Sequence, residues 1–71
     1  METKTINIKI NGKNKQINSC MTIAELMTKL DINIKLIAIA LNGVVIRRLD
    51  LDKVQIYPKD EIEIVRAVGG G

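Results

Sequence analysis

The sequence predicts an α+β domain, a mixed sheet of four to five strands under one main crossover helix. Three observations predict it. Apolar and polar residues alternate over Thr5-Ile6-Asn7-Ile8-Lys9-Ile10 and again over Glu61-Ile62-Glu63-Ile64, the period of strands with one buried and one solvated face. The dipeptide Asn-Gly occurs at Asn11-Gly12 and Asn42-Gly43, where it suits the positive backbone angles of a tight hairpin turn. Between the two turns, Thr22-Ile23-Ala24-Glu25 has the spacing of a capping box, which starts a helix by satisfying two orphan backbone N–H groups reciprocally.

The elements follow in order. The first arm ends at Asn11-Gly12, and its return arm, Lys13-Asn14-Lys15-Gln16-Ile17, is polar and lysine-rich, as an edge strand that discourages pairing with other chains should be. Met21 and Leu26 flank the Thr22 cap at the spacing of a hydrophobic staple, and Ile23, Leu26, Met27 and Leu30 form one apolar stripe. Asp31-Ile32-Asn33 ends the helix. Leu36-Ile37-Ala38-Ile39-Ala40-Leu41 reads as a strand, Asn42-Gly43 as a second turn and Val44-Val45-Ile46 as the return arm. Arg47-Arg48-Leu49-Asp50-Leu51-Asp52 is a polar connection with room for one helical turn. A brief strand is expected around Val54-Gln55-Ile56. Pro58, at the second position of a turn over Tyr57-Pro58-Lys59-Asp60, delivers the chain into a last strand. A hairpin, a crossover helix, a second hairpin and a final strand lying parallel to the first is the β-grasp arrangement.

Composition narrows the function. A chain of 71 residues is one domain that buries roughly 60–65% of the surface its unfolded form exposes, too little for a deep enzyme cleft. It has no His, which excludes Ser-His and Cys-His catalytic pairs and most transition-metal sites; no catalytic or metal-ligating residue is assigned. The net charge is +3, but its cations are interleaved with acids, and Tyr57 is the one aromatic. A basic stripe with stacking platforms for nucleic acid is missing from the sequence. The single Cys20 has no internal disulfide partner, Met1 to Lys9 has no signal-peptide character, and the longest apolar run, residues 36–41, is too short to span a bilayer. A cytoplasmic monomer without nucleic-acid or membrane partners is expected.

The end of the chain, Val65-Arg66-Ala67-Val68-Gly69-Gly70-Gly71, runs from the last strand into three glycines. Without Cβ atoms such a tail enters a slot closed to side chains; equally, terminal glycines are a common frayed end or cloning remnant. The division is a domain over 1–68 and a flexible glycine tail over 69–71. Cys20, just before a helix N-terminus, is either a small core filler or a reactive thiol, and the first is preferred. Arg47, Arg48 and Arg66 are either partner contacts or solvated surface. Val65, apolar on the parity of Glu61 and Glu63, is either an edge-packed valine or part of a small docking patch.

Over its full length the chain resembles the ThiS family, the ubiquitin-like sulfur carriers of thiamin thiazole biosynthesis. The resemblance is carried by Asn11-Gly12, by Thr22-Ile23-Ala24-Glu25-Leu26, by the segment from Ile39 through Asn42-Gly43 to Arg48, and most specifically by residues 60–71. Two departures stand out. Pro58-Lys59-Asp60 replaces the Asp-Gly-Asp frequent in the family, and Arg47 stands where a proline is common.

The resemblance implies that an E1-like adenylating enzyme of the ThiF/MoeB type, using ATP with Mg, activates the Gly71 carboxylate. A persulfide-bearing sulfur donor then converts it to a thiocarboxylate, and a ThiG-like thiazole synthase accepts the sulfur. The chain would bind no cofactor itself and act as a co-substrate rather than an enzyme. Val65, Arg66, Ala67, Val68, Arg47 and Arg48 would contact partners. The small subunit of molybdopterin synthase is similar in fold and tail, and a β-grasp binding module without tail chemistry is the alternative from another class.

Overall fold

The computed structural model describes residues 4–66. Five strands, β1 (Thr5–Ile10), β2 (Lys13–Asn18), β3 (Ile37–Leu41), β4 (Val44–Ile46) and β5 (Glu61–Arg66), and one helix, α1 (Ile23–Lys29), follow the expected order. The sheet runs β2-β1-β5-β3-β4, so the last strand is the central one. It lies parallel to β1, with Ile10 opposite Ile62, and antiparallel to β3, with Ala38 opposite Val65. This is the mixed β-grasp sheet, with β2 at one edge and β4 at the other.

Local chemistry explains the elements. Asn11 and Gly12 have φ of 51° and 81°, and Asn42 and Gly43 of 50° and 86°, the left-handed pair that a type I′ turn demands and that Asn and Gly tolerate. At α1 the Thr22 hydroxyl accepts from the Glu25 N–H at 3.1 Å, and the Glu25 carboxylate accepts from the Thr22 N–H at 2.8 Å. The next two free N–H groups, of Ile23 and Ala24, reach the carbonyls of Val54 and Leu51, so the first turn is fully satisfied. The helix ends in a Schellman motif: Ile32 N–H donates to the Met27 carbonyl and Asp31 N–H to that of Thr28, with Asp31 at φ 59°.

The core lies between the inner sheet face and α1. Ile8, Ile17, Ile39 and Ile62 from the sheet, Ile23, Leu26 and Met27 from the helix, and Met21, Leu51 and Ile56 from the connections are all buried. Ile62 is 1% exposed, and Ile64 packs partly buried on the same side. Both staple residues, Met21 and Leu26, sit in this cluster.

Three expectations are corrected. The segment around Val54-Gln55-Ile56 is not a sheet strand: Gln55 makes one bridge, to Thr22. Its backbone serves the helix start instead, with Val54 accepting from Ile23 and Ile56 donating to Met21. Leu36 does not begin β3, because the Asn33 side chain caps a short 3₁₀ turn over Ile34–Leu36. Cys20 is no core filler. It is exposed, at φ 61° in the bend after β2, and that bend turns Met21 inward in its place. The Tyr57-Pro58-Lys59-Asp60 turn forms as expected, but Lys59 carries its positive φ of 70°. The Asp60 N–H returns to the Tyr57 carbonyl, and the Asp60 carboxylate accepts from the Tyr57 N–H at 2.8 Å.

Candidate functional site

β5 is flanked on both sides by other strands, so its inward residues anchor it while its outward residues and its exit define a surface. Glu61, Glu63 and Val65 point away from α1, the opposite parity to Ile62 and Ile64. Across the β3 ladder Val65 faces Ala38, and Glu63 faces Ala40, which in turn faces Val45 of β4. The alanines cover little of the sheet, so Val65 is 61% and Val45 71% exposed. The result is an uncovered apolar outer face on the β5-β3-β4 half. Leu36, just before β3, is also exposed. The valine of the sequence reading is therefore exposed on this outer face rather than packed at an edge.

The arginines sit at one end of the sheet, with Arg66 on the parity of Ile62 and Ile64 rather than of Val65. Ile46 pairs with Ile39, and Ile39 with Ile64. Arg47 and Arg48 therefore leave β4 at the end of the sheet where Arg66 closes β5 opposite Ile37. All three are exposed. Arg47 Nε lies 3.3 Å from Asp50 Oδ2, the one salt bridge among the described residues, and a pair this exposed holds its partners only weakly. Ala67, Val68, Gly69, Gly70 and Gly71 lie outside the described residues. What the structure gives is the point from which they depart: the central strand, beside an apolar face and three cations.

Two asparagines escaped the sequence reading, which used Asn11 and Asn42 as turn formers only. Both side chains bond to β5. Asn11 Oδ1 accepts from the Ile64 N–H at 2.8 Å and its Nδ2 donates to the Ile64 carbonyl at 3.3 Å. Asn42 Oδ1 accepts from the Glu61 N–H at 2.9 Å and its Nδ2 donates to Asp60 Oδ1 at 3.0 Å. A signal was present: Gly-Gly would make the same turns, yet both carry Asn first. Ala38 and Ala40 were hidden in a continuous apolar run whose small members all fall on one face.

Two open hollows of about 320 and 290 Å³ lie between β2 and α1 and beside Lys9, Lys59 and Glu61. They are lined by lysines, amides, one carboxylate and aliphatic side chains.

A small β-grasp domain with an uncovered apolar sheet face next to the exit of its central strand is the architecture of a ubiquitin-like protein. Comparison with known proteins places it further. The ThiS family model matches residues 8–71, and the chain belongs to that family of ubiquitin-like sulfur carriers. It is 32% identical over 71 residues to the uncharacterized protein ycf40 of Porphyra purpurea, covering all of both chains. With ycf40 of Trieres chinensis it shares 31% over 62 residues, 87% of this chain and 85% of the other. Among solved structures, the thiamine biosynthesis protein ThiS of Geobacter metallireducens superposes with a TM-score of 0.84 at 26% identity, over 93% of this chain and 100% of that one.

Proposed function

We propose that this chain carries sulfur on the carboxylate of Gly71 and delivers it for thiazole formation in thiamin synthesis. The observation that carries the reading is the central placement of β5, which leads the sequence into the glycine tail beside the outer apolar face. The family match, which runs through Gly71, supports it.

A carboxylate is a poor acceptor for nucleophiles because it is anionic and has no leaving group. In the proposed sequence an adenylating enzyme docks on Val65, Ala38 and Val45, with Arg47, Arg48 and Arg66 facing acidic groups, and takes residues 67–71 into its ATP site. A carboxylate oxygen of Gly71 attacks the α-phosphorus of Mg-bound ATP and expels pyrophosphate. A persulfide sulfur on a donor protein then attacks the acyl carbon and AMP leaves. A thiol cleaves the resulting acyl disulfide and supplies the two electrons, which leaves the thiocarboxylate. The domain contributes docking and delivery, and the chemistry belongs to its partners.

Intact mass spectrometry after incubation with ATP, a persulfide donor and a ThiF-like enzyme tests this. One oxygen exchanged for sulfur, localised to Gly71, is expected; an unchanged mass with an enzyme active on its own carrier overturns it. The thiazole acceptor is favoured by the likeness to a protein named for thiamine biosynthesis. Sulfur transfer from the loaded chain to the large subunit of molybdopterin synthase, and none to a thiazole synthase, would reassign it.

A further inference from the structure

β1 gives its last backbone bond to β5 at Asn11, whose N–H donates to the Ile62 carbonyl at 2.9 Å. The backbone then turns away through Gly12 into β2, while β5 continues to Arg66. From Ile64 onward, the edge of β5 that faced β1 has lost its partner strand. The Asn11 side chain supplies the next rung, taking the Ile64 N–H on Oδ1 and giving Nδ2–H to the Ile64 carbonyl. A carboxamide offers one acceptor and donors in a plane, as a peptide unit does, so one side chain stands in for a strand residue. Asn42 does the same at the other edge and the other end of β5. Its N–H donates to the Glu61 carbonyl at 2.7 Å, and its Oδ1 accepts from the Glu61 N–H. The two turn asparagines thus grip the strand at its start and near its exit, from opposite sides.

We infer that Asn11 is a positioning residue for the reactive tail: its amide extends the pairing of β5 by one rung and so sets the direction in which the chain leaves the sheet toward residue 71. This rests on the proposal that the Gly71 carboxylate is the reacting group. Without that rung β3 still holds β5 through Arg66, which keeps Val65 and Arg66 in the docking surface. The edge that faced β1 is nevertheless released from Ile64 on, and the loosened strand end spreads the carboxylate over more positions. Displacement of a reacting group by about 1 Å can cost about a hundredfold in rate.

The test uses the full chain with Asn11→Gly, which keeps the left-handed turn but removes the amide, and Asn11→Asp, which keeps the acceptor for the Ile64 N–H. Two quantities are read: amide hydrogen exchange at Ile64 in the free chain, and pyrophosphate release by a ThiF-like enzyme with the chain as varied substrate. Asn11→Gly should speed Ile64 exchange about tenfold, the loss of one hydrogen bond, while the amides of Glu61 and Glu63 keep their protection. It should lower kcat at least about tenfold with KM within about twofold, the signature of an interaction needed after docking. Asn11→Asp should recover Ile64 protection and kcat together. Unchanged Ile64 exchange would show that Asn11 does not pair with β5. Faster exchange with unchanged kcat would make the rung merely structural, and a change confined to KM would make it a docking contact; each of these overturns the inference. No pyrophosphate from the unaltered chain would overturn the adenylation reading and the positioning role with it, a failure that the exchange data distinguish from loss of the rung.

Discussion

The two hairpins share a turn and differ in the face they show. Both reverse at Asn-Gly with nearly the same angles, and both send isoleucines inward, Ile8 and Ile17 from the first and Ile39 from the second. Outward, the first presents Asn7, Lys9, Asn14 and Gln16, and the second presents Ala38, Ala40 and Val45. β5 lies between them and changes character along its length, from Glu61 and Glu63 to Val65. The inner face and the turns therefore specify the fold twice over, and the outer face is free to separate a polar half from an apolar one.

The sharpest break of that division is on the inner side. Ile62→Ala should cost about 2–5 kcal/mol of folding free energy, a large share of what a domain this small has, read as a fall in the denaturation midpoint. A midpoint that stays put would mean that β5 faces the other way, and the outer patch would lose Val65. Next is the tail. One residue appended after Gly71 moves the carboxylate by up to about 3.5 Å and should lower pyrophosphate release about a hundredfold or more. Melting should be unchanged and binding to the activating enzyme retained. Normal release without trimming of the added residue would remove Gly71 as the acceptor.

A smaller effect separates the two outer faces directly. Val65→Asp should leave stability within about 1 kcal/mol but raise KM for the activating enzyme about tenfold, as loss of an apolar contact at the centre of an interface does. Asn14→Asp, the same charge on the first hairpin, should leave KM alone; equal effects from both would erase the distinction. The smallest concerns the third turn, where Lys59 adopts φ of 70° while the hairpins place glycine at such angles. Lys59→Gly should stabilise by about 0.5 kcal/mol, the relief of left-handed strain less the entropy of a glycine. A destabilised variant would mean that the Lys59 side chain holds the turn.

What was legible in the sequence is what is encoded locally. The alternation of Ile6, Ile8 and Ile10, the Asn-Gly pairs and the Thr22/Glu25 box need only near neighbours to act, and each forms where the sequence puts it. Residues 54–56 have a strand's composition, but whether a strand joins a sheet depends on a free edge. Val54 and Ile56 meet the start of α1 instead. Leu36 was lost to the Asn33 cap for a similar reason, since one side chain three residues away decided its backbone. The exposure of Cys20 follows from a left-handed bend that its residue type does not announce. The outer patch was visible only as Val65. Ala38 and Val45 join it through a register that no single segment contains, and the amides of Asn11 and Asn42 reach β5 from far along the chain, Asn11 from 53 residues before Ile64.

That distance has a kinetic side. In the order β2-β1-β5-β3-β4 the first and second hairpins do not touch each other's ladders, and the strand that joins them is the last of the described elements to be synthesised. Each hairpin can close by itself over a short loop, but the sheet exists only once β5 has inserted between them, and its pairing with β1, Ile10 opposite Ile62, closes a loop of about fifty residues, the kind of closure that slows folding. The transition state should therefore contain β5. Ile62→Ala should slow refolding in proportion to its cost in stability, whereas Ile17→Ala, in the outlying β2, should act mainly by speeding unfolding. A nascent chain would then hold two separate hairpins until residues 61–66 arrive, so the strand that leads toward residue 71 is also the one whose insertion completes the fold.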